Sequence, residues 1–331
     1  MWERIVNFSH DATTAGLRSL AKEQKTQEME SQETSPNRLR KLWKRKRVKG
    51  TVIMVLVYLA LTQVASSCLQ FRMSRQEVME DFAEEQQQPE IYDIVVEGQA
   101  IRYATIGDPE KPMVFFVHGS PGSWTAYIDF MKDSLLLQKA FLVSVDRPGF
   151  GHSNFGHGEP ELEAQSAVLL AVMEHIAPQA RPILVGHSMG GPVIARMAID
   201  SPEAMSALVF VAASVDPVLE PATWYRHVMK WPVVRNVIPR SFRASNTELL
   251  PLKGELEEML PYWEQITVPA TVIQGTEDSL VPAGNADFLE EKLQGVPLRV
   301  RMLEGVNHFI PWSHPEEIRE AIFYHLEERE D

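Results

Sequence analysis

From residue 91 onward the chain repeats one unit: a short run apolar at almost every position, a turn rich in Gly or Asp, then a stretch of helical period. The runs are Met113–Val117, Phe141–Val145, Ile183–Val185, Ala207–Ala212, Ala270–Ile273 and Leu298–Met302. The helical periods fall at Trp124–Leu137, Leu162–Ile176, Pro192–Ile199, Ala283–Leu293 and Pro315–Glu327. A strand half-exposed to water alternates apolar and polar residues, whereas a run apolar throughout suits a strand covered on both faces. The alternation therefore predicts an α/β fold, a mostly parallel central sheet with helices on both faces. Ile91–Val96 and Ala100–Thr105 do alternate, around Glu97-Gly98, and predict a hairpin at the start of the sheet. One stretch, Val218–Trp263, breaks the rhythm. It carries Trp224, Tyr225, Trp231, Tyr262 and Trp263 and is too long for a plain connection, so it reads as a functional insertion.

The run Ile183–Val185 leads into Gly186-His187-Ser188-Met189-Gly190-Gly191, followed by helical period. This is G-x-S-x-G between a strand and a helix. That context places the serine hydroxyl in a tight turn at the strand's C-terminal edge, near backbone N–H groups and the positive end of the helix. Over about residues 91–328 the chain resembles the α/β-hydrolase fold family. Val117-His118-Gly119-Ser120-Pro121-Gly122 resembles the family's oxyanion loop, and Asp146–Ser153 its structural loop after the next strand. Gly275–Pro282 resembles the acid loop and Gly305-Val306-Asn307-His308 the histidine loop.

The resemblance implies Ser188 as nucleophile, His308 as general base and Asp278 as the acid that orients it, with Glu277 as the neighbouring alternative. It implies oxyanion donors at the N–H groups of Ser120 and Met189, and a lid over the site from the segment 218–263. Trp224 or Trp231 is then expected to shape the substrate pocket, the alternative being that these aromatics form the insertion's own core. A serine hydroxyl needs a base to become nucleophilic, histidine titrates near neutrality, and a carboxylate fixes the imidazole tautomer. His118, His152, His187 and His314 are the rival histidines. They form no metal-ligand spacing, so neither metal nor dissociable cofactor is expected.

The N-terminal third has a different composition. Residues 1–36 are polar and read as weakly ordered. Residues 37–71 hold a basic block (Arg38, Arg40, Lys41, Lys44, Arg45, Lys46, Arg47, Lys49) and then the charge-free segment Gly50–Phe71. As a helix those 22 residues would measure about 33 Å, enough to cross a bilayer. The strongly apolar part, Val52–Leu61, is short, and Val64-Ala65-Ser66-Ser67-Cys68 resembles a bacterial lipoprotein signal with Cys68 as the lipidated residue. An uncleaved signal anchor is the alternative. Both imply a membrane-associated protein with its catalytic domain outside the cytoplasm. Residues 72–90, rich in Glu and Gln, read as a solvated linker, so a chain beginning near Gln88 is expected to keep every catalytic element. The domain proper is 91–331.

The net charge of -13 argues against nucleic acid as a partner. Cys68 is the single cysteine and lies outside the domain, which removes a cysteine nucleophile. Serine rather than aspartate at 188 argues against epoxide hydrolase and haloalkane dehalogenase chemistry. The expected activity is a serine hydrolase acting on a small-molecule ester or related acyl bond. Acyl transfer or C–C hydrolysis by the same three residues, or a non-catalytic binding role on the same fold, are the alternatives.

Overall fold

The computed structural model describes residues 19–29, 36–221 and 224–328. The side chain of Cys68, and most of the segment read as weakly ordered, lie outside the described residues. The chain divides into two units, Met1–Thr62 and Gln63–Asp331. The first contains a helix over 19–29 (α1) and most of α2, Pro36–Cys68. The large side chains of Val52–Leu61 on α2 are exposed. Among the described residues no helix is long and apolar enough to cross a membrane. The side chains of residues 62–68, which make up most of the second half of Gly50–Phe71, lie outside the described residues.

The second unit is built on one eight-stranded sheet. Its strands are β1 (Glu90–Val96), β2 (Gln99–Ile106), β3 (Met113–Val117), β4 (Phe141–Val145), β5 (Ile183–His187), β6 (Ala207–Val211), β7 (Ala270–Gly275) and β8 (Leu298–Leu303). They lie in the order β1-β2-β4-β3-β5-β6-β7-β8, with β1, β2 and β4 antiparallel in turn and the rest parallel. The predicted hairpin closes at Glu97 and Gly98, both at positive φ, the backbone that a two-residue turn between twisted strands requires.

The helices of this unit are α3 (Arg75–Asp81), α4 (Ile128–Met131), α5 (Ser134–Lys139), α6 (Leu162–Ile176) and α7 (Gly190–Asp200). After β6 come α8 (Trp224–Met229), α9 (Pro232–Val237), α10 (Arg240–Leu249) and α11 (Leu252–Met259). Then follow α12 (Gly284–Lys292), α13 (Ile310–Ser313) and α14 (Pro315–Glu327). Strand side chains alternate between two apolar clusters, as β3 shows: Phe115 and Val117 point into one, Val114 and Phe116 into the other. The first cluster is completed by α6, α7, α11 and α12, the second by α3, α4, α5 and α14. Both faces are covered, which is why the central runs carry no polar alternation.

Three segments differ from expectation. The helix expected over Trp124–Leu137 is broken into a 3-10 turn, α4 and α5. Asp133 interrupts it by accepting hydrogen bonds from the N–H groups of Leu135 and Leu136, which makes it the N-cap of α5. The insertion expected over 218–263 is only partly separate from the core. Leu252, Leu256, Met259 and Trp263 are buried in the first cluster, and the Trp263 ring meets Phe288 edge-on.

The stretch 72–90 is not a solvated linker. Ser74 and Glu77 form a reciprocal capping box that starts α3. Val78 and Phe82, one helical turn apart, are fully buried among Trp124, Phe130 and Ile322. Asp81 pairs with Lys132, whose ammonium stands over the Phe82 ring. Burying a Val and a Phe contributes about 1.5–3 kcal/mol each, so α3 belongs to the domain. Phe82→Ala should lower the unfolding free energy by about 3–5 kcal/mol. A chain starting at Gln88 should unfold at clearly lower urea than one starting at Gln70. Equal urea midpoints for those two chains would show that α3 adds nothing.

Candidate active site

The site is assembled at the C-terminal edge of the parallel strands. β5 ends at His187, and Ser188 follows with φ +54°, a left-handed conformation that costs a serine about 1–3 kcal/mol. The turn is held by its backbone: the Ser188 N–H donates to the Val211 carbonyl (2.9 Å), and the Ser188 carbonyl accepts from the Gly191 N–H (2.9 Å). Two glycines make it possible. A Cβ at Gly186 would stand 2.5 Å from the Gly190 carbonyl oxygen, and one at Gly190 would stand 2.2 Å from the Val117 carbonyl oxygen. Ser188 is half-buried, so its hydroxyl can be reached, and α7 begins two residues later.

His308 comes from the loop after β8. Its Nδ1 lies 2.7 Å from Asp278 Oδ2, and both side chains are buried. Asp278 is fixed in turn: its Oδ1 accepts from the N–H groups of Leu280 (2.9 Å) and Val281 (2.8 Å). Burial pushes the Asp278 carboxyl upward, but the hydrogen bonds from His308, Val281 and Leu280 outweigh it and hold the group below the usual carboxylate range. An ionised Asp278 places the imidazole proton on Nδ1 and leaves Nε2 as an acceptor. Glu277, the neighbouring alternative, is exposed, and its N–H is spent on the Val306 carbonyl.

The rival histidines are otherwise engaged. His187 Nε2 donates to the His308 carbonyl (3.1 Å), and its ring centroid lies 4.8 Å from that of His308. Burial, then the nearby His308, pushes its pKa down to about 3, so it is neutral. His118 is buried, with Nδ1 donating to the Gly119 carbonyl (2.6 Å) and Nε2 accepting the Arg147 N–H (3.0 Å). His152 meets the Met73 carbonyl and His314 the Ser313 hydroxyl, and among the described residues neither ring is hydrogen-bonded to a carboxylate.

The loop after β3 passes directly against the serine: a Cβ added to Gly119 would lie 3.0 Å from Ser188 Cβ. The next N–H is that of Ser120, while Met189 supplies one from the turn itself. Among the described residues neither N–H meets an acceptor. Two donors beside a nucleophilic oxygen are what a developing oxyanion requires. The rim is aromatic: Phe309 and Trp312 are each about half exposed, their rings 5.8 Å from His308 and 5.6 Å from His187. Trp224 and Trp231, expected to shape the pocket, stand on or beside α8 and α9 and are 77% and 64% exposed. They neither pack into a core nor lie among the residues that meet the triad positions.

One element of the site was invisible in the sequence. Arg147 and Glu248, on α10, form a fully buried ion pair (Nη1–Oε2 2.6 Å, Nη2–Oε1 3.1 Å). The same guanidinium donates to the carbonyls of His118 (2.8 Å) and Gly119 (3.0 Å) and to Gln165 Oε1 (2.7 Å). It thus ties the loop beside Ser188 to α6 and α10. The partners are 101 residues apart, and no local pattern announces Glu248.

Comparison with known proteins agrees with this architecture. A family model described as "alpha/beta hydrolase fold" matches residues 112–249. The chain is 28% identical over 162 residues to the dihydrolipoyllysine-residue acetyltransferase component of the acetoin cleaving system of Cupriavidus necator, 48% of this chain but 41% of that one. It is 23% identical over 261 residues to 3-oxoadipate enol-lactonase 2 of Acinetobacter baylyi, 69% of this chain and 94% of that one. Among solved structures, a bacterial membrane phospholipase A superposes with a TM-score of 0.58 at 17% identity, over 86% of this chain and 98% of that one. The chain has the α/β-hydrolase fold: an eight-stranded, mostly parallel sheet flanked by helices.

The buried pair yields a test of how the site is held. Glu248→Ala should cost about 3–5 kcal/mol, because it leaves the Arg147 charge buried and unpaired. Arg147→Met combined with Glu248→Leu should recover most of that loss in urea unfolding. A single change costing under about 1 kcal/mol would mean that water or another group takes over the charge.

Proposed function

We propose that this protein is a serine hydrolase that cleaves a carboxylic ester or related acyl bond through an acyl-serine intermediate. The observation that carries the reading is the His308–Asp278 contact of 2.7 Å on a carboxylate held ionised, with His308 against His187, the residue before a serine in a strained turn. In this reading the Ser188 hydroxyl attacks the substrate carbonyl while His308 Nε2 takes its proton. Asp278 stabilises the imidazolium through Nδ1. The carbonyl oxygen becomes an oxyanion between the N–H groups of Ser120 and Met189. His308 returns the proton to the leaving alcohol. Water, deprotonated by His308 in the same way, then releases the acid and restores Ser188. No step needs a metal or a dissociable cofactor. The similarity to an enol-lactonase supports a small-molecule ester as substrate.

The N-terminal segment fits a membrane tether. The basic block suits retention on the cytoplasmic side, and an apolar core confined to Val52–Leu61 suits a signal segment better than a full span. Lipidation at Cys68 would leave the hydrolase domain outside the cytoplasm. Intact mass after membrane extraction reads this directly: a chain beginning at Cys68 and carrying acyl groups is expected, and full-length unmodified protein in the soluble fraction would overturn it.

A fluorophosphonate probe should label the wild-type protein and leave Ser188→Ala unlabelled. Ser188→Ala and His308→Ala should lower kcat on p-nitrophenyl esters by at least about 10³-fold without unfolding the protein. Asp278→Asn should cost heavily through the wrong tautomer, whereas Glu277→Gln should be near normal. A folded wild type that resists the probe and turns over no ester in a chain-length series would sink the proposal.

A further inference from the structure

The insertion carries a surface that the site does not use. Val218, Trp224, Trp231 and Val233 are among the most exposed large apolar side chains of the domain, Val233 at 80%. They lie in a stretch of unusual charge. From residue 221 to 243 there are five cations, Arg226, Lys230, Arg235, Arg240 and Arg243, and no Asp or Glu, in a chain of net charge -13. Among the described residues none of the five is in an ion pair. Elsewhere in the domain Arg102, Arg147, Arg196, Arg301 and Arg319 have carboxylate partners, whereas Arg72, Arg75, Arg181 and Arg299 are in no ion pair among the described residues. Exposed tryptophans interleaved with unpaired cations match one kind of partner well. Indole rings settle at the headgroup level of a bilayer, and Lys and Arg are drawn to anionic lipid.

We infer that the α8–α9 segment of the insertion docks on an anionic lipid surface. A second copy docked through the same segment would set the exposed Lys230 and Arg235 against their like and be repelled. Nucleic acid would be repelled by the acidic remainder of the protein. The position is consistent with work at an interface. The segment leaves the sheet beside the start of α12, where Leu219 Cδ1 lies 3.0 Å from the place a Cβ on Gly284 would occupy. It rejoins at α10, whose Ser245 hydroxyl accepts from that of Ser120 (2.9 Å). The α8–α9 segment thus runs between the start of α12, which follows the acid loop, and α10, which touches the loop beside Ser188. This inference stands on the surface alone and does not need the proposed hydrolysis.

The test uses the full chain with Cys68→Ser and a single new cysteine at Val233→Cys, labelled with an environment-sensitive fluorophore. Parallel labels sit at Asn236, exposed on the same helix, and at Glu290, exposed on α12. Labels at 233 and 236 should shift to the blue with vesicles of phosphatidylcholine mixed with phosphatidylglycerol. They should shift little with phosphatidylcholine alone, and the label at 290 should not respond. Lys230→Gln with Arg235→Gln should raise the lipid needed for half the shift by roughly 30-fold, and high salt should act likewise. The same pair should leave turnover of a soluble ester unchanged, which separates this test from that of the active site. Labels at 233 and 236 that stay in water while the protein sediments with vesicles would overturn the inference, since other segments would then do the binding. So would equal shifts on neutral lipid, or a shift that grows with protein concentration in the absence of lipid, which would mark self-association.

Discussion

A single buried guanidinium organises the region around Ser188. Among the described residues Arg147 is the one buried arginine, and it spends its donors on two backbone carbonyls of the loop beside the serine, one glutamine and one glutamate. Burying such a charge is expensive unless it is paired and its donors are satisfied, and here both conditions are met. The loop at His118–Gly119 cannot drift without stranding part of that charge. The carbonyls that Arg147 holds precede the Ser120 N–H, so the ion pair sets where a donor to an oxyanion would stand. Glu248 reaches this position from α10, so the insertion helps to hold the loop beside Ser188.

The remaining pieces follow from where strands end. β5, β7 and β8 run parallel, so the turns after them open on one edge, where His308 meets Asp278 and His187, the residue before Ser188. The left-handed Ser188 is a local strain that the surrounding sheet and α7 can hold, and Gly186 and Gly190 leave the room the turn needs. His187, neutral and bonded to the His308 carbonyl, supports the histidine loop from beneath. A charged imidazole there would repel His308; the burial that lowers its pKa prevents this.

Much of this was legible in the sequence because it is written locally. Apolar runs betray strands covered on both faces, Glu97-Gly98 betrays a hairpin, and the glycines around Ser188 betray a crowded turn. What stayed hidden depends on distance in the chain. Glu248 is one of several glutamates until the fold brings Arg147 to it. Val78 and Phe82 are two apolar residues in a Glu- and Gln-rich stretch, too few to outweigh its composition until a core is there to receive them. Asp133 looked like a mid-helix residue, yet its side chain competes for the backbone N–H groups two and three residues on and so divides the helix. Trp224 and Trp231 suggested a pocket by type, and the structure instead places them in solvent.

The packing of the segment before β1 has a mechanical consequence. The Leu69 carbonyl accepts from the Ser241 hydroxyl, Phe71 meets Phe242, Arg72 donates to the Gly151 carbonyl, and Phe82 is sunk in the core. Tension applied to the chain ahead of residue 69 reaches these contacts before it reaches the hydrogen bonds of β1. β1 is an edge strand, paired only with β2, and a direct pull could unzip it one bond at a time. With the anchoring side chains in front, the force must dislodge several of them together. The domain can hang from its N-terminal side without its sheet bearing the first share of the strain.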